Sequence, residues 1–104
     1  MMAATILCLV TDVPNGTTIV CKDRTHIRVA GLEVGELVPK KAHGVLARLT
    51  VGQQVSCLPA GNEGPFIVAK CTLPDGRDLA CTLIKSQAAV RSVVAWRRYA
   101  LGDC

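Results

Sequence analysis

Six cysteines in a chain of 104 residues, Cys8, Cys21, Cys57, Cys71, Cys81 and Cys104, constrain the fold more than any other feature. None of their spacings is the close CxxC pair of a zinc ribbon or a thioredoxin-like motif, so thiolate metal binding is not expected. Their placement narrows the possibilities. Cys8 and Cys21 lie about equally far from Asn15-Gly16, and Cys57 and Cys71 about equally far from Asn62 to Gly64. Each pair could therefore face across adjacent strands of a hairpin. The alternative is that all are buried reduced thiols acting as small hydrophobes, and sequence alone does not select among the pairings. A count this high and even tilts toward an extracytoplasmic location. The opening MMAATILCLV, however, has no basic n-region, and Thr5 interrupts its apolar run, so it reads poorly as a signal peptide or a membrane span. The compartment stays open on this reading: a cytosolic protein, or one whose export signal is not in this chain. No membrane partner is expected.

The rest of the chain alternates turn chemistry with short apolar runs. Thr5 to Val13 is apolar or β-branched, Pro14-Asn15-Gly16 is a turn, and Thr17 to Cys21 resumes strand character. After Lys22-Asp23-Arg24, a third strand over Thr25 to Gly31 puts Ile27 and Val29 on one face and His26, Arg28 and Ala30 on the other. Pro39 can open a helix over 39 to 50, with Ala42, Val45, Leu46 and Leu49 on one stripe and Gly52 beyond its end. Gln54 to Leu58 and Phe66 to Leu73 read as two more strands flanking a turn-rich loop, Pro59 to Pro65. Asp78 can cap a second helix carrying Leu79, Leu83, Ile84 and Ala88, and residues 91 to 104 add a short helix or an ordered tail. The expected fold is α+β and mainly β: one domain spanning 1 to 104, a five-stranded, antiparallel OB-type barrel with two to three packed helices.

Half the residues are hydrophobic, enough for one core, but Phe66, Trp96 and Tyr99 are the only aromatics. No platform for stacking bases is evident, and nucleic-acid-binding residues cannot be named from composition. The net charge of +4 is modest, and its clearest local excess is Arg91, Arg97 and Arg98, which by itself reads as a solvated face. His26 and His43 have no nucleophile motif beside them and read as surface or boundary residues, and the glycines fit no phosphate-binding loop.

Val10-Thr11-Asp12-Val13-Pro14-Asn15-Gly16-Thr17-Thr18-Ile19-Val20-Cys21, followed by Ile27-Arg28-Val29-Ala30-Gly31-Leu32-Glu33-Val34-Gly35-Glu36, resembles the first hairpin and active-site strand of the staphylococcal-nuclease-like (thermonuclease) family. The family pattern there is approximately DGDT and then IRLxGIDxPE. Pro74-Asp75-Gly76-Arg77-Asp78-Leu79-Ala80 is similar to the family's DGxxL turn into its second helix, and Trp96-Arg97-Arg98-Tyr99 resembles the tail of bacterial members. The resemblance covers nearly the whole chain. It implies an OB-type barrel that hydrolyses DNA or RNA phosphodiesters with Ca²⁺, and a monomer.

Carried over position by position, the resemblance gives Arg28 the phosphate, since a planar donor fork suits charge developing in phosphoryl transfer, and gives Glu36 the attacking water. Away from the resemblance, Arg28 could simply pair with Glu33 or Glu36 on the surface. Ca²⁺ would be held by Thr17, Glu33 and the carbonyl of Val34. Several positions depart from the family. Thr17 replaces a carboxylate and Glu33 an aspartate, which weakens a site for an ion that prefers several anionic oxygens. Asn15 stands at the first Asp of DGDT, Gly35 at the usual Pro, and Pro65 at the second arginine of a YGR-type turn. Proline supplies neither charge nor donor there, and nothing in the sequence places Lys70 or Arg77 as a substitute. The expected function is therefore a weak, Ca²⁺-dependent nuclease or, alternatively, a catalytically inactive nucleic-acid-binding or structural domain on the same fold. A disulfide-stapled interaction module is a third possibility that draws on the cysteines alone.

Overall fold

A computed structural model describes residues 4–33 and 39–98. Strands β1 (Ile6–Asn15), β2 (Thr18–Cys21) and β3 (His26–Val29) are followed by a two-residue strand β4 (Leu32–Glu33) and helix α1 (Pro39–Thr50). Then come β5 (Gln54–Glu63), β6 (Phe66–Thr72), helix α2 (Leu79–Lys85), another two-residue strand β7 (Val90–Arg91) and helix α3 (Val93–Arg98). Five strands close a barrel in the order β1-β2-β3-β6-β5, while β4 and β7 pair separately. This is a small α+β domain, mostly strand, consistent with an OB-like barrel.

β1 closes the barrel because its two halves have different partners. Ile6 to Leu9 pair with β5, whereas Val10 to Asn15 pair with β2 through two register shifts. Such bulges bend and twist a strand, which lets one strand serve two neighbours. The closure also corrects one expectation: β3 and β6 run parallel, with Ile27 opposite Ile67 and Val29 opposite Ala69, so the barrel is mixed and not wholly antiparallel. The excursion through α1 and β5 separates these strands and returns the chain in the same direction.

The expected loop at Pro59 to Pro65 is also mostly strand. β5 runs through Pro59 to Glu63, with a register shift between Pro59 and Gly61, and the turn is only Gly64-Pro65, bracketed by the Glu63–Phe66 pair. A strand proline is tolerated beside a bulge, and Gly64 takes the positive φ of 58° required at the first position of such a turn. The bulge at Ala60 also sets the cysteine register. It places Cys57 directly opposite Cys71, where an uninterrupted ladder from Glu63–Phe66 would have brought Thr72 there.

Disulfides join Cys57 to Cys71 and Cys8 to Cys21, with Cα atoms 4.0 and 5.1 Å apart. Both cross-hairpin pairings were among the alternatives left open by the sequence. Cys81 is disulfide-bonded as well, and no cysteine among the described residues is free. Oxidised pairs of this kind fit an extracytoplasmic or otherwise oxidising location. No described helix is long and apolar enough to cross a membrane.

The core is aliphatic and sulfur-rich. Ile19, Ile27, Val55, Cys8 and Cys57 of the barrel strands pack in one cluster with Leu46 of α1 and Leu79 and Leu83 of α2, all fully buried. The stripe anticipated on α1 is the one that packs: Ala42 and Leu46 are buried, Val45 and Leu49 half-buried. Thr50 is buried without penalty because its hydroxyl donates to the Leu46 carbonyl at 2.7 Å. Asp78 caps α2, its Oδ2 accepting from the Cys81 N–H at 2.9 Å. Ala30, just past the end of β3, and Val68 of β6 form a second small cluster, with Trp96 of α3 packed against it.

Candidate functional site

A cleft of about 680 Å³ opens where the β1–β2 turn, the end of β3, β4 and the tip of β5 meet. Thr17, Arg28 and Glu33 all line it, so three of the residues singled out by the sequence are brought together. Val34 and Glu36, with the rest of residues 34–38, lie outside the described residues. Glu63 and His43 also line the cleft, and sequence reasoning missed both as site residues.

The turn is built by Asn15. Its Oδ1 accepts from the Thr17 backbone N–H at 2.9 Å and from the Thr17 hydroxyl at 3.1 Å, a local closure typical of Asx turns. The turn therefore sits at Gly16-Thr17, and β2 starts at Thr18, one residue later than expected. Thr17 is thereby tied to its own turn.

Arg28 projects from the middle of β3, between Thr18 on β2 and Val68 on β6. Its Nη1 donates to Glu63 Oε2 at 2.8 Å. The partner seen is therefore Glu63, the last residue of β5, which lies 35 positions further along the chain, and not Glu33; Glu36, the other partner considered, lies outside the described residues. The guanidinium also lies 4.7 Å above the Phe66 ring, and His26 meets that ring edge-on at 6.1 Å. The parallel β3–β6 seam explains this cluster, since it sets the start of β6 beside β3 and the Gly64-Pro65 turn returns Glu63 to the same place. Both side chains of the ion pair are over a third exposed, so the pair contributes at most about 1 kcal/mol, with a similar amount from the ring contact. One donor, Arg28 Nε, is buried without a partner.

The second arginine position of the family pattern holds Pro65, inside the tight turn, and neither Lys70 nor Arg77 lines the cleft. Arg77 is occupied elsewhere, its Nε donating to Asp75 Oδ2 at 2.6 Å. His43 is a docking residue: its Nε2 bonds the Val13 carbonyl and holds α1 against the end of β1. Among the described residues, the two carboxyls held below the ordinary carboxylate range lie in turns away from the cleft. Asp23 is lowered by the Thr25 hydroxyl and backbone N–H, and Asp75 by the Arg77 backbone N–H and side chain.

Ca²⁺ needs about six to eight oxygens, several of them anionic. Among the described residues, Thr17 offers a hydroxyl already donating to Asn15, Glu33 is an exposed carboxylate on a two-residue strand, and Glu63 is committed to Arg28. No three His, Cys, Asp or Glu side chains converge among the described residues. The described part of this donor set falls short of such a shell on its own, and the Val34 carbonyl that the resemblance adds lies outside the described residues. Comparison with known proteins adds no further assignment, because no protein-family model and no curated protein matches the chain.

Proposed function

We propose that this chain is a non-hydrolytic binding or structural domain on a thermonuclease-like barrel. The Arg28–Glu63 ion pair carries this reading. Arg28 is the only lysine or arginine among the described residues lining the cleft, and Glu33 and Glu63 supply two carboxylates. A phosphodiester would have to share the guanidinium with Glu63 or displace it, and in either case sit near the Glu33 and Glu63 carboxylates, which opposes the transition-state stabilisation that hydrolysis requires. The missing cation at Pro65 and the scarcity of uncommitted oxygen donors among the described cleft residues support the same reading.

The second reading is a weak nuclease acting on DNA or RNA, favoured by the convergence of Thr17, Arg28 and Glu33 on one cleft. Arg28 would hold the phosphate and Glu36 would activate water. Cleavage of a fluorogenic single-stranded DNA, with Ca²⁺ or with chelator, separates the two. No turnover above the Glu36→Gln background is expected. Ca²⁺-dependent cleavage that disappears in Glu36→Gln would overturn the binding reading.

A further inference from the structure

The net charge of the protein is localised. Residues 79–98 hold Lys85, Arg91, Arg97 and Arg98 and no carboxylate, while the rest of the chain carries eight charges of each sign. The overall +4 therefore belongs to this one stretch. Three of the exposed large apolar side chains also fall here, Val90, Val93 and Val94 at 54%, 59% and 68%, whereas the others, Leu7, Leu9, Val51 and Leu58, lie outside this basic stretch.

Helix periodicity places these groups together. On α3, Val93 and Arg97, and likewise Val94 and Arg98, are four residues apart and share the outward face. The inward face is already used. Trp96 packs on Ala30 and Val68, and Ala95 lines the cleft. Ser92 fixes the start of the helix, its hydroxyl accepting from the Ala95 N–H at 3.3 Å and its carbonyl from the Trp96 N–H at 2.9 Å. Arg91, on β7, lies 5.0 Å over the Trp96 ring and remains exposed. The carboxylate brought alongside by strand pairing is Glu33, opposite Val90. Among the described residues, no carboxylate forms an ion pair with Arg91, Arg97 or Arg98.

We propose that the outward face of β7 and α3, formed by Val90, Val93, Val94, Arg91, Arg97 and Arg98, is a docking surface for an acidic polypeptide segment that carries aliphatic side chains. The arginines fix the sign of the partner, and interfaces favour arginine because its fork binds carboxylates while its plane packs on apolar groups. The valines select a polypeptide over a nucleic acid. Phosphates and sugars would leave them wet, and Trp96, the only tryptophan, is turned onto the barrel and covered by Arg91, so it offers no stacking platform. The proposal deepens the binding reading by naming a partner class, and its test is independent of whether the cleft cleaves phosphodiesters.

The test uses the full oxidised chain and three fluorescent probes of equal length: a glutamate-rich peptide with interspersed leucines, a peptide of glutamate alone, and single-stranded DNA. Anisotropy should rank the leucine-bearing peptide tightest, by at least about fivefold over either other probe, since apolar anchors add to charge only for that probe. Arg97→Glu with Arg98→Glu should weaken it by about tenfold or more, and Val93→Ser with Val94→Ser by about fivefold. All four residues are exposed, and an unchanged melting curve confirms that the variants fold. Absence of binding, equal binding of the DNA, or indifference to the valine changes would each overturn the proposal. Nuclease activity measured separately would overturn the non-hydrolytic reading while leaving this result standing.

Discussion

Replacing Cys57 and Cys71 together by alanine removes a crosslink without leaving a lone thiol, and the structure sets the size of the effect. The bridge closes a sequence separation of 14, a loop for which chain entropy in the unfolded state gives about 3 kcal/mol. Both side chains are buried, at 0% and 1% exposure, so a small cavity cost adds to this figure. In a domain of this size, each 1 kcal/mol moves the melting temperature by about 4–8 °C, so the variant should melt about 12–24 °C lower than the parent. The companion pair, Cys8 and Cys21, closes a separation of 13 and should cost nearly the same, because the entropic term varies only with the logarithm of loop length. Far-UV circular dichroism during thermal and urea unfolding, under non-reducing conditions, measures both losses. A loss under about 1 kcal/mol for either pair would refute the argument, as would alkylation of Cys8, Cys21, Cys57 or Cys71 in the denatured, unreduced protein.

Two further perturbations test local features. Asp78→Ala removes the cap from α2 and should cost about 1 kcal/mol, visible as a lower urea midpoint, while Asp78→Asn should keep most of the stability. Asp75 is held below the ordinary carboxylate range mainly by the Arg77 backbone N–H, and next by its side chain. Its carboxyl should therefore titrate low by ¹³C NMR. Because the unfolded chain binds that proton more readily, the contribution of the charge is complete above the unfolded pKa and is lost as pH falls through the lower folded value. The stability gap between the parent and Asp75→Asn should close over that acid interval, and a gap independent of pH would contradict the assignment.

Local chemistry was legible in the sequence wherever one segment decides it. The stripe on α1 from Pro39, the Asp78 cap, the alternation in β3 and the approximate positions of both cysteine hairpins follow from turn residues and periodicity alone. Periodicity assigns a face to a strand and says nothing about its neighbour, so the parallel β3–β6 pairing was hidden. β4 and β7 are two residues each, too short for any alternation to show. The bulge at Ala60 made a strand look like a loop, because Pro59, Gly61, Asn62 and Gly64 all carry turn chemistry. In the cleft, Thr17, Arg28 and Glu33 were identified through the resemblance, but Glu63 was not. Its meeting with Arg28 depends on the seam and on the turn at Gly64-Pro65, and no short-range pattern encodes a contact across 35 residues.

That seam also determines the order in which the molecule can be assembled. The Cys8–Cys21 and Cys57–Cys71 bridges each lie within their own hairpin, so these two can form while the rest of the chain is still being synthesised and by themselves commit the protein to no particular arrangement of the barrel. Joining Ile27 to Ile67, by contrast, must wait for everything between them, and a contact this distant in sequence is slow to find. Until it forms, β3 and β6 each present an open edge able to pair with another chain. An oxidising cell compartment would therefore deliver two pre-stapled hairpins that are still open to strand mispairing between molecules until the seam closes.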